Sequence, residues 1–402
     1  MNIEICKWYG NKNSPVLLFI DDLANVWIDT NGNGKIDLGE DWGYGKNSEN
    51  SSFRFLNEVI LKDFPQVKVT FFVPVGIRVG MIESSKIKFI SKMINCDEET
   101  KQFFKSINDN YKYEIAYHGT THGKAGKTVF HFKQEWILYR NLDEAIKTIN
   151  KGKKIYKDVF GEYPKGGKYC GYETNEFSDE SIDKTEFLWW CRYWNRGITY
   201  NKECTIGGID FNTITNFDIK TFGENQVVDI PSTVDGGLLT GILNPNIKTV
   251  KGIVKKVLKK YLLKNKLRQI DYLLKNKLVI SIQEHISPLT NAGGSIPQTP
   301  NIFNDKESLQ FIFNYLKDKN IWCCTATELA EYYWLREHAK IQLIDSNKFI
   351  VKYNDEKEIK NKKLTLRFDN DVKKIKLPDL RVIESRTSCF DIDVLDGIYE
   401  IL

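Results

Sequence analysis

Short apolar runs ending in polar groups alternate with helically spaced stretches over most of the chain. Val16-Leu-Leu-Phe-Ile20 runs directly into Asp21-Asp22, which predicts a buried strand whose end meets solvent. Residues 67–73, followed by Pro-Val-Gly, predict a second strand, and residues 113–117, ending at His118, a third. Between residues 141 and 160, Leu142, Ala145, Ile146 and Ile149 fall on one helical face. Further strand signals lie at 187–193, 227–230 and 278–282. This alternation, over about 330 residues, predicts an α/β fold with a mainly parallel sheet that can close into a barrel. Polar groups recur at the strand C-termini, where such folds place their active sites.

The pattern changes near residue 340. Residues 349–353, 364–368, 372–377 and 398–402 are short alternating runs broken by Asn, Asp and Gly, with no helical period between them. The expected organisation is a large α/β domain over 1–339, ending with a helix at 326–339, and a small antiparallel β module over 340–402.

Composition narrows the class. The 402 residues include 9 Trp, 19 Tyr and 23 Phe, ample material for a packed core, and exclude a disordered or collagen-like chain. No apolar run approaches the roughly 20 residues that span a bilayer, and the first residues lack a basic stretch followed by an apolar one, so the expectation is a cytoplasmic protein. Eight cysteines without a Cys-x-x-Cys pair or regular spacing read as reduced thiols. The net charge of +5 is unevenly spread: residues 248–277 hold eleven Lys or Arg and one Asp, +10, which leaves −5 for the rest. No nucleic-acid reading motif accompanies that charge.

Histidine is scarce, five in all, and two of the five form His118-Gly-Thr-Thr-His122 directly after a strand. Imidazoles four residues apart can face one metal ion, although a solvated pair has the same spacing. Two His and one carboxylate leave positions open for water and substrate, as hydrolytic metal chemistry requires, and the second Asp of Asp21-Asp22 would remain as a base.

In order along the chain, Phe19-Ile-Asp-Asp22, Val69-Thr-Phe-Phe-Val73 and Glu114-Ile-Ala-Tyr-His-Gly-Thr-Thr-His122 resemble successive signatures of the polysaccharide deacetylases, carbohydrate esterase family 4. Gly161-Glu-Tyr-Pro-Lys-Gly166 resembles the family's lead-in to its third motif, Ile282-Gln-Glu-His285 its late Leu-x-His motif, and residues 320–330 its closing strand and helix. The resemblance implies a distorted (β/α) barrel that removes acetyl groups from N-acetylated sugars of a glycan or glycoconjugate. It implies that Asp22, His118 and His122 hold a divalent metal, most often zinc, with Asp21 as general base and His285 as the acid for the leaving amine. The chain departs from the family pattern at Leu23, where a Gly is usual, and at the third motif, where Lys168 stands in for an Arg and supplies a point charge without a fork. A non-catalytic carbohydrate-binding protein on the same fold is the alternative, and retention of both Asp21 and His285 favours the enzyme.

Three further features remain. Residues 29–40 match the twelve-residue EF-hand type calcium loop, with Asp29, Asn31, Asn33, Asp37 and Glu40 as side-chain oxygen donors, Lys35 contributing its backbone carbonyl and Gly34 at the turn. The expectation is a structural calcium, with an ion-free polar turn as the alternative. Tyr169, Tyr172, Trp190 and Trp194, with Lys168, are the candidate substrate-binding residues, core packing being the other use of such aromatics. Residues 250, 253, 254, 257, 258, 261 and 262 of the basic segment are apolar at helical spacing. A helix packed on the barrel with its lysine face in water is the first expectation. Contact with an anionic membrane surface, or with the phosphate of a lipid- or nucleotide-linked sugar, is the second.

Overall fold

The computed structural model describes residues 2–45, 48–194, 217–286, 298–354 and 357–402. Cys204 lies outside the described residues, and the other seven cysteines are free thiols. No helix among the described residues is long and apolar enough to cross a membrane.

The central ten-stranded sheet runs in the spatial order Lys220–Phe222, Val227–Asp229, Trp189–Cys191, Gly166–Lys168, Tyr113–Tyr117, Val69–Val73, Ser14–Asp21, Ile280–His285 and Val234–Asp235, with Ile321–Cys323 also paired to the start of Ser14–Asp21. Only Lys220–Phe222 is antiparallel to its neighbour. The sheet is curled into a distorted (β/α) barrel. Lys168 and Gln283 sit on strands four places apart, which a flat sheet would separate by about 19 Å. Their side chains nevertheless meet at 2.6 Å. The segment from Val227 to Asp235 completes the curl, with Val228 and Ile230 bonded to Leu188 and Trp190 at one end and Thr233 bonded to Ser281 at the other.

Residue parity sorts the side chains. Leu17, Phe19, Phe72, Ala116 and Trp189 point into the barrel, where Ala326, Leu329, Ala330 and Trp334 of the helix Ala326–His338 plug it from below. Val16, Leu18, Ile20, Phe71, Val73, Ile115 and Tyr117 point outward under the surrounding helices, including Leu142–Phe160. Room for Trp189 comes from Gly166, where a Cβ would lie 2.1 Å from the indole.

The C-terminal strands form two antiparallel sheets. One takes in the N-terminal strand Ile3–Ile5, paired with Lys363–Phe368. Tyr332 and Leu335 of the plugging helix share a core with Phe349, Leu366 and Phe390.

Candidate active site

Strand register assembles the candidate residues at one rim. Asp21 is paired directly with His285, and Tyr117 with Gly167, so His118 and Lys168 emerge side by side. Asp22 and His122 each hold φ at 70°, a left-handed conformation uncommon outside glycine and frequent at functional sites. The turn carrying His122 is held by Glu135, whose carboxylate accepts the backbone N–H groups of Thr120, Thr121 and His122 and the Tyr139 hydroxyl.

Asp21 Oδ2 lies 2.5 Å from Lys168 Nζ, 3.8 Å from His118 Nε2 and 3.7 Å from His285 Nε2, while Asp21 Oδ1 is buried without a partner among the described residues. Lys168 also donates to Gln283 at 2.6 Å and sits over the Tyr172 ring at 4.2 Å. His285 is oriented by a carbonyl rather than an acid: its Nδ1 lies 2.7 Å from Pro300 O, which makes Nδ1 the donor and turns Nε2 to the site. Glu284 points outward as strand parity requires, and burial, then Asp305 and Asp235, push its carboxyl well above the usual range.

Asp22 is gripped by Arg78 through both oxygens, with Nε at 3.1 Å from Oδ1 and Nη2 at 3.0 Å from Oδ2. Gln298 donates to Oδ2 at 3.1 Å, and His122 Nε2 is 3.2 Å from Oδ1. Burial acts to raise the Asp22 pKa, but Arg78, His122 and His118 outweigh it and hold the carboxyl well below its ordinary value. Burial pushes His122 well below its ordinary value and lowers His118, whose neighbours Asp21 and Asp22 oppose the shift. Asp22, His118 and His122 therefore lie at one rim, with both Asp22 oxygens already held by Arg78 and Gln298, and among the described residues the ligand atoms that fall within 4.8 Å of one another are those of His118, His122 and Cys170. His118 Nδ1 is 3.0 Å from Lys168 O, which leaves its Nε2 lone pair to the site in the manner of metal-binding histidines. His122 Nδ1 is buried without a partner among the described residues. Cys170 offers a sulfur within 4.8 Å of ring nitrogens of both His118 and His122, but its thiol donates to His118 O and burial raises its pKa well above normal.

The aromatic candidates divide. Tyr169 and Trp190 are fully buried on the outer face, packed with Trp136, Tyr117 and Phe187, and the expectation that they contact substrate is corrected. Trp190 follows the inward-pointing Trp189, so alternation turns it away. Tyr172 stays in the barrel, its hydroxyl bonded to Ser232 and Gln283. Trp194, half-buried, lines a cavity of about 380 Å³ with Asp235, Thr240, Thr299 and Pro300.

The 29–40 loop is closed by its two end carboxylates. Asp29 accepts the N–H groups of Gly32, Asn33 and Gly34, and Glu40 those of Thr30 and Asp37. Asn31 and Asn33 converge on Asp37 at 2.6 and 2.7 Å, while Lys35 is exposed with its N–H on Asn33. The loop lies between the strand Val26–Asp29 and a β-bridge at Asp41, without flanking helices.

Arg78 and Glu135 escape sequence reasoning because both sit in loops without periodicity; position shortly after a strand end is the one signal Arg78 carries.

No family model and no curated protein matches the chain. Among solved structures it is similar to one from Mycobacterium smegmatis provisionally described as a polysaccharide deacetylase, at 15% identity over 85% of this chain and 97% of that one, with a TM-score of 0.44. A structure from Pseudomonas aeruginosa with the same provisional description shares 14% identity over 82% and 94% of the two chains, at 0.46. A family 4 acetyl xylan esterase from Clostridium thermocellum, in complex with a cobalt ion, shares 12% identity over 79% and 90%, at 0.32.

Proposed function

We propose that the chain is a metal-dependent hydrolase that removes acetyl groups from N-acetylated sugars of a glycan or glycoconjugate. The observation that carries it is the single carboxylate oxygen, Asp21 Oδ2, placed within 3.8 Å of Lys168, His118 and His285 beside the Asp22 and His122 pair. Asp22, His118 and His122 would hold a divalent metal such as zinc, which when bound supplies Lewis-acid polarisation of an acetyl carbonyl and acidification of water. Lys168 fixes Asp21 Oδ2 and leaves Oδ1 to take a proton from the attacking water. His285, as an imidazolium with its Nδ1–H held by Pro300 O, would deliver the Nε2 proton to the leaving nitrogen and regain one from Asp21, whose Oδ2 lies 3.7 Å away. Trp194, backed by Tyr172, lines the cavity together with Pro300, whose carbonyl holds His285, and a sugar ring can stack there on Trp194. The 29–40 loop would hold a structural calcium.

Metal analysis of the purified protein, with acetate release from a panel of acetylated glycans, tests the proposal. Asp21→Asn and His285→Ala should each cut acetate release by about 10² to 10⁴ while metal content stays near that of wild type. Turnover like wild type in either variant removes that residue from the mechanism. A protein that binds glycans but releases no acetate supports the binding-protein alternative.

A further inference from the structure

The helix Val250–Val257 is amphipathic but packs the wrong way round for a globular protein. Gly252 is its one buried residue, and it approaches so closely that a Cβ there would lie 1.8 Å from Asn246 O. On the same face Lys255 donates to Gly241 O at 2.9 Å, and Lys259, just beyond the helix end, to Leu243 O at 3.4 Å. The polar face is thus the docked one. At about 100° per residue, Val250, Ile253, Val254, Val257, Leu258 and Tyr261 form a single opposite stripe. All six are exposed, with Val250 at 79%, Val257 at 78% and Tyr261 at 70%. Lys251 and Lys260 border the stripe, Lys264 is exposed in line with it, and Lys248 and Lys256 are exposed on the docked side. This reverses the first sequence expectation, in which the apolar face met the barrel and the lysines met water. The following helix, Lys259–Lys275, returns to the core through Leu267, Ile270, Leu273 and Leu274.

We propose that this stripe is an interfacial membrane anchor, which lies in the headgroup region of an anionic bilayer with its apolar residues in the acyl boundary and its bordering lysines on lipid phosphates. Two features specify the occupant. A contiguous apolar stripe left in water by a helix docked through its polar face needs an apolar phase, and the +10 charge of residues 248–277 needs an anionic one. An anionic lipid surface supplies both along one plane. Gly241, which accepts Lys255, follows Thr240 of the cavity lining, so the anchor sits one short helix from the candidate site. The proposal does not depend on the deacetylase reading.

The test is co-sedimentation of the full chain with phosphatidylcholine vesicles containing about a third phosphatidylglycerol, at about 0.1 M and about 0.5 M salt, against pure phosphatidylcholine. Wild type should pellet with anionic vesicles at low salt and be released at high salt. Val254→Asp/Val257→Asp should weaken partitioning at least about tenfold, and Lys251→Glu/Lys256→Glu/Lys260→Glu at least about a hundredfold. Because the stripe faces solvent, the Val double variant should melt within about 2 °C of wild type. Failure of wild type to bind, or equal binding by the variants, overturns the proposal. So does a melting temperature that collapses in the Val variant, which would place the stripe in the folded core. A wild-type dimer that Val254→Asp/Val257→Asp converts to monomer would assign the stripe to a second copy of the chain and equally overturn it.

Discussion

Arg78 holds Asp22 by a two-pronged contact at 3.1 and 3.0 Å, with side-chain exposures of 2% and 1%. The guanidinium also lies 4.9 Å from the centre of the Trp42 ring. A buried carboxylate left alone is costly, so breaking the pair matters more than the net worth of the pair itself. Arg78→Met should destabilise the metal-free protein by about 3 to 5 kcal/mol in denaturant unfolding. Arg78→Lys, which keeps the charge but loses the fork, should cost less. If Arg78→Met unfolds at the wild-type midpoint, Asp22 does not depend on Arg78 for its charge.

A second, half-buried carboxyl links stability to pH. Glu114 points into the lower barrel, accepting from Thr70 and from the N–H and hydroxyl of Thr327 at the start of the plugging helix. Burial pushes its pKa from 4.5 up to about 7, against those hydrogen bonds. Below the unfolded value the group is protonated in both states. Between the two values the folded chain keeps a proton the unfolded chain has released, so stability falls as pH rises, and the loss is complete above about 7. The difference is worth roughly 3 kcal/mol. Glu114→Gln mimics the protonated acid and should flatten this slope, leaving the variant more stable than wild type at pH near 8. Unfolding midpoints across that window check the sign; an unchanged slope in the variant would assign the pH dependence elsewhere.

What the sequence makes legible follows from where periodicity exists. The Asp21 and His118 positions each directly follow an apolar run, His285 ends a strand two polar residues beyond one, and strand parity then dictates that Glu284 turns away from His285. The same parity separates Trp189 from Trp190, but it needs the strand's inward face to be known, and a two-sided apolar run such as Leu188-Trp-Trp-Cys191 conceals it. The lysine-rich helix shows a related ambiguity. Spacing defines its two faces, whereas Gly252 and the carbonyls of Gly241 and Leu243 decide which one docks. The joining of Ile3–Ile5 to Lys363–Phe368 is a long-range pairing with no local signature.

For the 29–40 loop, the expected outcome is that excess calcium raises the wild-type melting temperature by roughly 5 °C, because binding to the folded state alone stabilises by mass action. Glu40→Gln should lose most of that increment and change the calcium-free melt little, since the last loop position normally supplies two oxygens to the ion. Calorimetric scans with calcium and with chelator measure both. A wild-type melt indifferent to calcium would leave the loop as a polar turn, closed by the backbone bonds to Asp29 and Glu40 and by the Asn31 and Asn33 contacts to Asp37.

The two tryptophans Trp190 and Trp194 are four residues apart and should fail in opposite ways when removed. Trp190 is fully buried against Tyr117, Trp136, Tyr169 and Phe187, so Trp190→Ala opens a cavity in the outer core and should cost about 3 to 5 kcal/mol. Trp194 packs on one side against Tyr172, with ring centres 5.8 Å apart, and shows its other side to the cavity beside Pro300. Its loss should leave the melt nearly unchanged and raise KM for an acetylated glycan about tenfold, with kcat little altered, because a stacking platform holds ground state and transition state alike. Thermal melts and steady-state acetate release on the two variants measure both effects. A Trp194→Ala enzyme with wild-type KM would move the sugar subsite away from this cavity, and a stable Trp190→Ala protein with raised KM would restore Trp190 to the substrate side of the barrel.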